Sequence, residues 1–193
     1  MKEQRRHQRV RFGVPPQVRL GQSGVAGTGQ LENLSLGGLV VRTDMPLKVG
    51  EVFGCEFSVF GSVVIDVSPV VMGHVGNMYS ARFQVGPINE SIIEHVLAHA
   101  LSSGKASVLT VNESQGRRVM RVTGGLNGCL RNDFMHGLNK VGVDEIDLSG
   151  VTDVDPAGAE LCRVATEVHR VGIVSPSFHV KEKMAAIAGR SVA

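Results

Sequence analysis

Short apolar or alternating runs fill the first half of the chain, at residues 18–20, 30–34, 39–43, 52–60, 63–71 and 79–85. Between them lie glycine-rich stretches at 21–29, Gly37-Gly38, 48–50, Gly61 and 73–76. Strands of this length with turn residues at close spacing predict a small barrel or sandwich. A helix is expected next. Ile92, Ile93, Val96, Leu97, Ala100 and Leu101 fall on one face at helical spacing, with Asn89 or Ser91 as the cap. Ser102-Ser103-Gly104 breaks that pattern, and the boundary between two domains is placed there.

The second half alternates between strand and helix patterns. Residues 108–111, 117–122, 143–148 and 173–174 read as strands. Leu130, Phe134 and Leu138 recur every fourth residue, and Leu161, Val164, Ala165 and Val168 form a second helical stripe. A last helix starts at Ser177 and carries Val180, Met184 and Ile187. This order predicts a small α/β layer structure. The expected organisation is therefore residues 1–101 as a β-rich domain and 105–193 as an α/β domain.

Composition narrows the function classes. The chain has 193 residues, 42% hydrophobic and 20% charged, which is enough apolar material for two modest cores. Its formal net charge is +2, so no global field draws it to nucleic acid or an anionic membrane. With no Trp and one Tyr, it offers few surfaces on which bases could stack. No run reaches the roughly 18 to 20 apolar residues of a membrane span. The charged N-terminus does not resemble a secretory signal, and a cytoplasmic location is expected. Cys55, Cys129 and Cys162 lack the spacing of a zinc site and are expected as reduced thiols. His95 and His99 lie four apart on the expected helix and read as surface residues, with no third ligand nearby in sequence. No GxSxG, P-loop or HExxH stretch occurs, so no catalytic residue is proposed and the chain is not expected to be an enzyme.

The positive charge is local. Lys2, Arg5, Arg6, Arg9 and Arg11 crowd the first dozen residues. Arg5 and Arg9 are spaced RxxxR, and some two dozen residues later comes Asn33-x-Ser35-x-x-Gly38 between two expected strands. Taken singly, the first suits a basic tail and the second a hairpin turn. In order and in a β context, the pair resembles the PilZ domain family over residues 3–101. The resemblance implies a six-stranded antiparallel β-barrel with a closing helix. It also implies cyclic di-GMP as ligand, held by Arg5, Arg9, Asn33, Ser35 and Gly38. The chemistry fits. A guanidinium fork meets guanine N7 and O6 with two parallel hydrogen bonds. Asn33 and Ser35 offer donors for phosphate, and Gly38 permits an unusual backbone angle or a close approach. Two positions depart from the family pattern: Gln4 stands where many relatives carry a further Arg, and Ala81 where they carry Gly.

The second half resembles the STAS family, which includes the anti-sigma factor antagonists. The residues that carry this are 123–127, 146–151 and Asp155-Pro156-Ala157-Gly158. It implies an interaction module with an unidentified protein partner, or a homodimer. The antagonists accept a phosphate on the serine after the second Asp; Pro156 occupies that position here and has no hydroxyl. Asp155 reads as a helix N-cap and Pro156 as the first helical residue. The expected function is a cyclic di-GMP receptor coupled to protein interaction, with no metal, no cofactor, no nucleic acid and no membrane span. The alternative is a scaffold or dimerisation protein that binds no nucleotide, with degenerate PilZ and STAS domains.

Overall fold

The computed structural model describes residues 7–84, 87–114 and 116–190. They form two compact units, one up to Ala100 and one from Leu101 onward.

The first unit is antiparallel throughout. Its strands are β1 (Val10–Phe12), β2 (Gln17–Gln22), β3 (Val25–Ser35), β4 (Gly38–Arg42), β5 (Gly54–Phe57), β6 (Ile65–Val67), β7 (Val70–Val75) and β8 (Met78–Arg82). Hydrogen bonding gives the order β6-β5-β2-β3-β4-β8-β7. The longest strand, β3, organises the unit. Its residues 25–30 pair with β2 and its Asn33 and Leu34 with β1, while β4 takes the opposite edge. β1 and β2 therefore lie end to end along one edge, joined where the Leu31 N–H donates to the Pro16 carbonyl at 2.8 Å.

The expected closed six-stranded barrel needs correction. Eight strands are present among the described residues of this unit, and the sheet does not close through a strand ladder. The outer strands β6 and β7 do not pair with each other. The segment before β5 meets β7 instead, through one bridge, Val52 to Val70, and backbone bonds that include Phe53 N–H to the Pro69 carbonyl at 3.1 Å. The extra strands have physical causes. Pro69 has no N–H to give a ladder, so the apolar run 63–71 splits into β6 and β7 around it. The stretch 21–29, expected as a loop, is a hairpin, with a two-residue turn at Ser23 (φ 53°) and Gly24 (φ 80°).

Phe12, Val18, Leu31, Leu34, Val41 and Phe53 are fully buried in this unit, joined by Ile93, Val96, Leu97 and Ala100 from α1 (Pro87–Ser102). The buried face of α1 is the one its periodicity predicts, and His95 and His99 are exposed on the other side. The helix starts four residues earlier than Ser91, at Pro87, a residue suited to a first helical position.

The second unit is a mixed sheet in the order β9-β10-β11-β12: β9 (Ala106–Ser114), β10 (Arg117–Leu126), β11 (Glu145–Val154) and β12 (Gly172–Val174). β9 and β10 are antiparallel; β10, β11 and β12 run parallel. Its helices are α2 (Arg131–His136), α3 (Pro156–Glu167) and α4 (Phe178–Arg190). Leu130, Phe134 and Leu138 are buried as predicted, but on three short pieces: a 3-10 turn, α2 and a π-turn. Val168 is two-thirds exposed, so the apolar stripe of α3 ends at Ala165. No helix among the described residues is long and apolar enough to cross a membrane.

Candidate functional site

The site is built on the last three residues of β3. Strand residues alternate faces, so Leu31 and Asn33 would share one in a regular strand. A bulge prevents this: Leu31 pairs with Val41 but Asn33 with Val40, leaving Glu32 as the extra residue. Leu31 and Leu34 can then both enter the core, and Asn33 and Ser35 turn to the opposite face. They are recessed there, 8% and 7% exposed. Glu32, the nearest carboxylate in sequence, is taken up by Arg42 at 2.8 Å, so it is already neutralised beside the motif.

β1 brings the basic segment to this face. Val10 pairs with Leu34 and Arg11 with Asn33. Val10 and Phe12 point into the core, so Arg11 shares the face of Asn33. Continuing the antiparallel register by one pair sets Arg9 opposite Ser35, the last residue of β3, and the residues before it run toward the Leu36-Gly37 turn. The His7 ring is indeed at Gly37: a Cβ built on that glycine would stand 3.0 Å from the imidazole Cδ2. Arg9 is exposed, and it leads directly into β1. Arg5 lies outside the described residues, as does Gln4.

The turn that follows is tightly held. Ser35 pairs with Gly38, and the Ser35 hydroxyl donates to the Gly38 carbonyl at 3.1 Å. The Phe83 N–H donates to the Gly37 carbonyl at 3.1 Å, which ties the end of β8 to the motif. Gly38 itself pairs with Arg82, and a Cβ on Gly38 would run into the Ala81 carbonyl oxygen. Its φ is not in the left-handed region, so of the two roles expected for this glycine the structure selects close approach.

The structure thus gathers Arg9, Asn33, Ser35 and Gly38 at one end of β3. It adds residues that the motif pattern leaves out. Arg11 follows Arg9 by two, the spacing that puts both on one side of a strand. Arg82 sits across β4 from the motif and is exposed. Arg19 and Arg42 on the neighbouring strands pair with Glu56 and Glu32, whereas Arg82 makes no ion pair among the described residues. The pairing of β4 with β8 is what brings Arg82, far from the motif in sequence, beside it. Among the described residues no three His, Cys, Asp or Glu side chains converge as metal ligands.

In the second unit, the Asp155 carboxylate accepts from the Gly158 N–H at 2.7 Å and Pro156 opens α3, the capping role expected for the pair. Asp147 accepts from the Ser149 N–H and the Arg121 guanidinium, both at 2.8 Å. Burial pushes its carboxyl upward, but those bonds outweigh it and hold the group below the usual carboxylate range. Burial pushes the thiols of Cys55 and Cys162 up to about 12, Asp66 adding to the shift at Cys55.

The family model described as PilZ domain matches residues 3–100. Several solved structures are similar to this chain over about half its length. The PilZ domain of YcgR from Escherichia coli, solved with c-di-GMP, is 18% identical; the match covers 50% of this chain and 91% of that one, with a TM-score of 0.44. YcgR from the same organism, in complex with c-di-GMP, is 20% identical over 50% of this chain and 45% of that one, TM-score 0.46. The PilZ domain of CeSA from a cellulose-synthesizing bacterium is 14% identical over 47% and 95%, TM-score 0.40. No curated protein matches the chain.

Proposed function

Because the chain belongs to the PilZ domain family over residues 3–100, we propose that it is a receptor for cyclic di-GMP and not an enzyme. The observation that carries this reading is the register between β1 and β3. It pairs Arg11 with Asn33 near the end of β3, and Arg9 directly precedes β1, which supports a common face for these residues and Ser35. In this reading Arg5 and Arg9 each present a guanidinium fork to the N7 and O6 edge of a guanine. The Asn33 amide donates to phosphate, and Arg11 and Arg82 supply fixed positive charge on either side of the motif. Ser35 has one hydroxyl proton, which Gly38 holds in this structure. Ser35 can donate to phosphate only by exchanging that bond. Gly38 lets β4 and β8 approach closely beside the motif.

The reading extends to domain organisation. Residues 1–101 act as the nucleotide-binding domain and 105–193 as a STAS-like interaction domain. A protein partner or a second copy of the chain would receive the signal there. Pro156 lacks the hydroxyl that a phosphoserine switch needs, so nucleotide rather than a kinase sets the state.

Calorimetry with cyclic di-GMP tests the core claim. Wild type binds, and Arg5→Ala and Arg9→Ala each lose about 1 to 3 kcal/mol, the worth of a bidentate guanine contact, with unchanged thermal stability. Lys at either position restores little, because an ammonium has no planar fork. Equal affinity in wild type and both Ala variants would leave the scaffold alternative in its place.

A further inference from the structure

We propose that His7 is a positioning residue that docks the arginine arm onto the motif turn before ligand arrives, with Gly37 as its seat. The inference rests on the receptor reading and adds to it a residue that the RxxxR spacing treats as filler.

Three observations meet here. First, the β1–β3 register, fixed by the pairs Val10–Leu34 and Arg11–Asn33, directs the residues before β1 toward the Leu36-Gly37 turn that ends β3. The position of the His7 ring, within contact of Gly37, agrees with that course. Second, Gly37 does not have a left-handed φ, so no backbone angle demands glycine there. What its missing side chain provides is room: a Cβ would stand 3.0 Å from the His7 Cδ2, closer than packed atoms ordinarily come. Third, the seat is rigid. The Gly37 carbonyl accepts from the Phe83 N–H of the strand end beyond Arg82, and the Ser35–Gly38 bond closes the turn from the other side.

A ring held on that seat keeps the two residues between it and β1 in extended register. Arg9 is one of them, and it is thereby kept opposite Ser35. A polar arm that is ordered only by its ligand pays the ordering cost at the moment of binding. An arm already docked through His7 has paid part of it, and the saving appears as affinity. The contact is apolar ring against backbone, so it needs the flat shape of the side chain and not its charge. Phe should therefore replace His.

The test uses the full chain and four variants: His7→Ala, His7→Phe, Gly37→Ala and the double variant His7→Ala/Gly37→Ala. Cyclic di-GMP affinity is measured by calorimetry. The ligand-free contact is read separately, from the nuclear Overhauser effect between the His7 ring proton and the Gly37 α-protons. His7→Ala and Gly37→Ala are each expected to bind about three- to tenfold more weakly, the cost of one side chain's lost pre-ordering. His7→Phe is expected to bind as wild type does. The double variant should bind no worse than either single one, because both remove the same contact. Additive losses, or tighter binding by His7→Ala, would overturn the inference. So would absence of the ring-to-glycine effect in the free wild-type protein. A wild-type chain that shows the contact but binds no nucleotide would defeat the receptor reading and, with it, the purpose assigned to His7.

Discussion

Gly37 and Gly38 are neighbours in sequence, and both are glycine for want of space rather than for backbone angle. One leaves room for an imidazole, the other for the carbonyl of Ala81. Neither reason can be read from the motif, since each depends on a partner remote in sequence. Asp147 is a similar case in the second unit. Its place in Ile146-Asp147-Leu148-Ser149 suggests a sequence pattern; its partners show a buried carboxylate bonded to Ser149 and Arg121. Its folded pKa lies below the ordinary value of about 3.9. The stability it supplies is therefore complete above that ordinary value and is lost as pH falls through the folded one. Asp147→Asn is expected to cost about 1 to 3 kcal/mol at pH 7. Urea denaturation at several pH values should show the gap to wild type narrowing below about pH 4. A gap that stays constant down to pH 2 would mean the charge contributes nothing.

Strand β3 shows how one element carries both core and site. A regular strand could not bury Leu31 and Leu34 together while turning Asn33 and Ser35 the other way. The bulge at Glu32 does both, and the pairing of Glu32 with Arg42 disposes of the charge the bulge exposes. Helix α3 shows the opposite situation, an element whose start is plain in its own sequence. Asp155 caps and Pro156 opens it, and both roles depend only on residues within one turn. Asp155→Ala is expected to destabilise the chain by about 1 kcal/mol, and Asp155→Asn by much less. Chemical denaturation monitored by circular dichroism would check this. Equal losses in the two variants would show that the negative charge matters rather than the cap bond.

At the scale of the whole chain, the proposal divides residues 1–101 from 105–193. Every strand of the candidate site lies in the first segment, and so does α1 up to its last residue. A fragment of residues 1–101 is expected to fold and to bind cyclic di-GMP within about threefold of the full chain, a difference of less than 1 kcal/mol. Far weaker binding by a folded fragment would mean that residues beyond 101 take part in the site. Sedimentation of the full chain with and without nucleotide addresses output. If residues 105–193 act through self-association, the nucleotide changes the mass distribution, by as much as it prefers one state over the other.

The sequence by itself determined what depends on near neighbours. The apolar face of α1, that of α3 as far as Ala165, the cap at Asp155, the strand character of 30–34 and 39–43, and the RxxxR and NxSxxG spacings are all set within a few turns of chain. Tertiary structure decided what depends on pairing between distant strands. Whether 63–71 is one strand or two turns on which carbonyls need the missing Pro69 N–H. The segment before β5 meets β7 through the bridge from Val52 to Val70, and no local pattern specifies that bridge. The side of the sheet that Asn33 faces, the contact of His7 with Gly37 and the approach of Arg82 to the motif all follow from register. Register is a relation between two segments, fixed by the bulge in one and the buried side chains of both, and it is legible only once they are paired.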